Sequence, residues 1–167
     1  MHKHHSRDGQ TIAVTDTYPK AEMLIAQLHA EGTALSEISL IAPRTLVRTA
    51  APLNSTPNVG FYVMGVTRLL SNGKTMHDSD VGPIYAAGPV MEELDSVEGG
   101  ALSECLRRSG VERKHSEWCV GQLQQGRPVI LIRNANPKAL ALAVKSTGAL
   151  TQSSEQPADD KEMEAVA

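Results

Sequence analysis

"TIAVTDTYPKAEMLIAQLHAEGTALSEISLIAP", residues 11–43, is the stretch whose reading decides the fold. Its opening, "TIAVTDT" (11–17), sets Ile12 and Val14 at strand spacing. Pro19 is tolerated in a first helical turn, and Asp16 or Thr17 is placed to cap it. Ala21, Leu24, Ile25 and Leu28 then recur at i, i+3, i+4 and i+7, one face of a helix. Gly32 stops that helix, and "EISLIAP" (37–43) is a second strand carrying Ile38, Leu40 and Ile41. Strand, helix and strand in such a short span make a βαβ-like unit.

Working outward, residues 44–81 read as an irregular insertion holding one short strand or a hairpin. "VGFYVMGV" (59–66) is apolar and rich in strand formers, and "SNGKT" (71–75) contains an Asn-Gly turn signal. "PIYAAG" (83–88) is a short strand, and Pro89 opens a helix. Leu94, Val97, Ala101, Leu102, Cys105 and Leu106 keep helical spacing through it. Gly99 and Gly100 interrupt it at roughly 1 kcal/mol each relative to alanine, so either the helix bends or breaks there or the glycines let another helix approach closely. "VERKHSEWCVGQLQQG" (111–126) is a further helix, "RPVILIRN" (127–134) a nearly continuous apolar strand, and "NPKALALAVKSTG" (136–148) a last helix. Asn136 caps that helix, Pro137 starts it and Gly148 ends it.

The order β-α-β, insertion, β-α-α-β-α predicts an α/β (α+β) sandwich, a ferredoxin-like sheet with its helices packed on one face. Residues 1–9 are expected to be a disordered start, 10–149 one domain with the insertion 44–81, and 150–167 a disordered acidic tail. That tail, counted from 151, sets five carboxylates against Lys161, a charge of −4 out of the total of −3. The body is therefore close to neutral and offers no broad basic field to a nucleic acid. Aromatics make up 3% of the chain, which argues against a base-stacking platform. No apolar run reaches membrane-spanning length, and "MHKHHSRDGQ" lacks the apolar stretch of a signal peptide. With Cys105 and Cys119 as its two cysteines, the chain reads as cytoplasmic and reduced.

The same residues carry a family resemblance. "GPIYAAGPVMEEL" followed by "GGALSECLRRSGVERKHSEWCVGQLQQGRPVILIR" resembles the C-terminal half of the bacterial general stress, heat-induced YflT-like domain. The matching features are Gly88-Pro89, Gly99-Gly100, Gly110-Val111, Trp118, Gly126 and the strand Val129–Ile132. The strand-helix-strand of 11–43 resembles the family's opening. Trp118 stands where the family often has tyrosine, and 44–81 differs from its middle segment. The resemblance implies an α/β fold and a stress-associated role, with no catalytic residues to carry over.

Several residues invite a chemical reading. "GPIYAAGPVMEELDSVEGG" (82–100) looks like a phosphate loop, but Pro89 removes an amide donor and no Lys-Ser/Thr follows. It reads instead as a strand-to-helix turn. His2, His4 and His5 sit on the N-terminal segment without a fourth ligand, and His77-Asp78-Ser79-Asp80 reads as a solvated turn. Cys105 and Cys119 read as small buried hydrophobes. No cofactor, metal or nucleophile–base pair is expected.

Two functional readings follow. The first is a non-enzymatic stress-associated protein acting by self-association or through a protein partner. Its candidate surface is the apolar run Phe61, Tyr62, Val63 and Met64, or an open sheet edge. The second is a small-molecule-binding regulatory module with Asp16, Thr17 and Gly88 at its pocket, where strand ends meet helix starts. A redox enzyme using Cys105 or Cys119 is the third and weakest.

Overall fold

The computed structural model describes residues 10–43, 70, 73–96 and 102–153. Its strands are β1 (Thr11–Val14), β2 (Ile38–Pro43), β3 (Lys74–Asp78), β4 (Gly82–Ala87), β5 (Val129–Ile132) and β6 (Leu150–Ser153). Its α-helices are α1 (Tyr18–Ala30), α2 (Val90–Ser96), α3 (Leu102–Arg108), α4 (Arg113–Gln124) and α5 (Pro137–Thr147). The strands form one sheet in the order β3-β4-β2-β5-β1-β6, and every neighbouring pair is antiparallel.

Four of these strands and two helices make a ferredoxin-like unit: β1-α1-β2 and β5-α5-β6 interleave in the order β2-β5-β1-β6. The fold is therefore an α+β sandwich, as the element order predicts. The pairing of halves differs from expectation. The second half is 129–153, and everything between β2 and β5 is inserted into the unit, where it extends the sheet with the β3–β4 hairpin. The Asn-Gly signal at 72–73 leads into β3, and the hairpin itself turns at 79–81. The helix read through Gly99-Gly100 is two helices, α2 and α3. Leu150–Ser153, read as the start of a tail, is a strand paired to β1.

The inserted helices answer the question of faces. Strand side chains alternate, and here both sets are buried. Ala13, Ile38, Leu40, Ala42, Tyr85, Ala87, Ile130 and Ile132 pack under α1 and α5. Ile12, Val14, Ile41, Ile84, Ala86, Val129 and Leu131 pack under α2, α3 and α4. The expectation of helices on one face is thus corrected to a three-layer sandwich. The unbroken apolar run of β5 has the same cause: both of its faces meet a helix layer. With few aromatics available, aliphatic side chains fill the interior, and fully burying each leucine or isoleucine of α1 is worth roughly 1.5–3 kcal/mol.

The caps follow the sequence. Thr17 accepts from the Lys20 amide at the start of α1. Asn136 Oδ1 accepts from the Lys138 and Ala139 amides at 2.9 and 3.2 Å, and Gly148 closes α5 at φ 73°. Asn136→Ala is expected to lower the unfolding free energy by about 1 kcal/mol, read from a urea titration; no change would mean that the cap is redundant.

Candidate functional site

The sheet register separates the three residues proposed for one pocket. Val14 shares a row with Val129, Ile41 and Ala86. Asp16 lies two residues beyond that row at one end of the sheet, and Gly88 two residues beyond it at the other. Their backbones are about 13 Å apart along the strands and about 14 Å apart across them. Asp16 and Thr17 are exposed, and Thr17 is occupied as the α1 cap. Gly88 adopts φ 96°, and a Cβ there would collide with the Ile38 carbonyl.

The turn after β4 is filled by the protein itself. Ser39 Oγ accepts from the Val90 amide at 3.0 Å, the Gly88 carbonyl from Met91 and the Pro89 carbonyl from Glu92. The amides that a phosphate loop would present are therefore engaged at the start of α2.

Asp78 is not a solvated turn residue. It is 4% exposed. One carboxylate oxygen accepts from the Asp80 and Val81 amides at 2.8 and 3.0 Å, closing the hairpin turn. The other accepts from the Leu102 amide at 2.6 Å, at the first residue of α3. His77 beside it is exposed. No group of three or more His, Cys, Asp or Glu with metal-holding geometry occurs among the described residues.

A second buried polar cluster lies on the opposite face, between α1 and β4. Tyr18 and Glu22, one turn apart, are 1% and 3% exposed, and Tyr85 of β4 is also buried. Burial raises the Tyr18 phenol, and the charges of Glu22 and Tyr85 add to the shift. The Tyr18 hydroxyl has no hydrogen-bond partner among the described residues. Tyr85 reaches Gly73, where its hydroxyl occupies the place of a β-carbon. Sequence reasoning missed this cluster. The available signal was Glu22 standing one position after Ala21, on the flank of the apolar stripe.

Cys105 of α3 and Cys119 of α4 are free and buried, and Cys119 packs in the core on the α2–α4 side of the sheet. Burial is the leading cause of both shifts, pushing Cys105 up to about 11 and Cys119 up to about 12. For Cys105 the Asp78 charge adds to the rise, and Arg108 opposes it. Thiolates are the reactive form, so both groups are inert at neutral pH. Native protein is expected to react with a thiol reagent at pH 8 far more slowly than unfolded protein, in which both thiols react. Equal rates would overturn the burial. Since the folded pKa values are raised, the thiols' contribution to stability is fully present below about pH 9. It falls as pH rises toward 11–12, at up to about 1.4 kcal/mol per unit per thiol.

Phe61, Tyr62, Val63 and Met64, and likewise His2, His4 and His5, lie outside the described residues. The sheet edges are described. β3 carries Lys74, His77 and Asp78, whereas β6 carries no charge, and its Leu150 is 53% exposed. Among the described residues each of these strands pairs on one side alone. No helix among them is long and apolar enough to cross a membrane. Comparison with protein-family models, curated proteins and solved structures finds no match.

Proposed function

We propose that the protein is a non-enzymatic, stress-associated module that acts by self-association. The observation that carries this reading is the disposition of the sheet. Both faces are filled by the chain's own helices, while the described residues leave each edge strand with a single neighbour. Ferredoxin-like sheets with one bare face can associate through that face; here the insertion covers it. An edge strand is where a sheet can pair with another chain. The stress setting comes from the family resemblance, and a cytoplasmic location from the two free, buried cysteines. The test is mass by light scattering across a dilution series of the full chain. Twice 17.9 kDa at high concentration, falling on dilution, supports self-association. A constant 17.9 kDa removes it.

A second reading, the small-molecule-binding module, draws on the buried Tyr18 hydroxyl beside Glu22 and Tyr85, since a buried hydroxyl without a partner is costly. It predicts a rise in melting temperature with some member of a metabolite panel, through binding to the native state alone. A flat panel rejects it.

A further inference from the structure

We infer that β6 is the self-association edge, and that its occupant is β6 of a second copy, paired antiparallel about a two-fold axis. The inference rests on the proposed self-association and names its surface.

The two edges of the sheet differ. Natural sheets protect their edges with charge, proline or bulges. β3 carries a lysine, a histidine and an aspartate. β6, "LTQS", has no charge and no proline, and it pairs regularly with β1 over its whole length. Leu150 is paired to Val14 and so points to the α2–α4 side of the sheet, yet it is 53% exposed. On the other side, α5 lies between β5 and β6 in the chain and packs against α1. Ser146 faces α1 through its bond to Gln27 at 2.7 Å. Leu140 and Val144 stand about 120° and 160° around the helix from Ser146, at 100° per residue, and are half-buried. They therefore flank the β6 side.

A second copy fits this edge better than the chain's own continuation. The residues after Ser153 include Pro157 and five carboxylates, a composition that is poor in strand formers. Symmetry also restricts the register. A two-fold axis perpendicular to the sheet keeps corresponding faces together. Because side chains alternate, one residue must then oppose its own copy. Centring on Thr151 sets Thr151 against Thr151, a favourable strand pair, and Leu150 against Gln152 of the second copy. The resulting sheet has twelve strands, twice the six described.

This register specifies the test. The double variant Leu150→Lys/Gln152→Lys sets lysine against lysine across the two-fold axis, and Leu150→Glu/Gln152→Glu sets glutamate against glutamate. Each variant alone is expected to run at 17.9 kDa at concentrations where the wild-type chain has twice that mass, with an unchanged circular dichroism spectrum. An equimolar mixture of the two is expected to recover the doubled mass, and 0.5 M salt to weaken the mixed pair. Rescue by the opposite charge is an effect that a merely structural role would not produce. If the wild type is a dimer and both variants remain dimers, the β6 assignment is overturned while self-association stands. Loss of dimer in Phe61→Ser/Tyr62→Ser alone would then move the surface to 59–66. A monomeric wild type would overturn both readings. A Lys variant that loses its folded spectrum leaves the Glu variant to decide, and loss of dimer with no recovery on mixing counts against the register.

Discussion

Asp78→Ala is expected to lower the unfolding free energy by roughly 3 kcal/mol, measured by urea denaturation at neutral pH. The side chain is 4% exposed and gathers three backbone amides: Asp80, Val81 and Leu102. Its removal leaves the buried Leu102 amide unsatisfied, at about 1–3 kcal/mol, and also loses the part-buried bonds from Asp80 and Val81, which water replaces in part. The damage should also be directional. Amide exchange should rise first at Leu102 and at the hairpin turn, because the carboxylate joins β3 to α3 across a gap of 24 residues. Asp78→Asn keeps acceptor oxygen but faces the amides with an NH₂ group, so its loss should be smaller. A drop below about 1 kcal/mol for the alanine variant would show that the hairpin and α3 hold without this link.

Gly88→Ala is expected to cost about 2–4 kcal/mol, the sum of two effects. At φ 96° the backbone lies where an L side chain is strained. The added β-carbon would also collide with the Ile38 carbonyl and approach Ser39 Cα, both of them backbone and therefore slow to yield. A shift there also disturbs Ser39 Oγ, which holds the Val90 amide at the start of α2. The corresponding change at Gly126, also at positive φ, brings a β-carbon near nothing within 4 Å and should cost only the backbone strain. Equal losses at the two positions would mean that the contact with β2 contributes nothing.

How much was legible depended on the range of the interaction that carried each feature. The first strand, α1, β2, β5 and α5 were readable because local signals coincide there. In 11–43 a capping threonine, a proline, an i, i+3, i+4, i+7 stripe and a glycine all point to one answer. β6 was missed because four residues, three of them neutral and polar, adjoin an acidic run. Their strand state is conferred by the β1 ladder, not by propensity. β3 was partly hidden for the same reason, with "KTMHD" reading as turn and loop until β4 lies beside it.

The candidate sites follow the same division. Gly88 was recognisable as a turn residue, but its distance from Asp16 depends on a strand order that places β5 and β2 between β1 and β4. Asp78 looked solvated in a run of polar residues; its burial depends on α3, which begins 24 residues later. Glu22 and Tyr85 are 63 positions apart in the chain, and both come near Tyr18 only because the fold brings α1 and β4 to the same side of the sheet.

The sequence by itself determined the class of fold, the ends of its helices and the apolar material of its interior, because periodicity, caps and glycines act within a few residues. Tertiary structure alone decided that six strands of the described residues form one sheet, that the inserted helices cover its second face and that β6, uncharged, is at the edge of those six. Those outcomes come from pairing and packing between segments far apart in the chain, whose register no local pattern records.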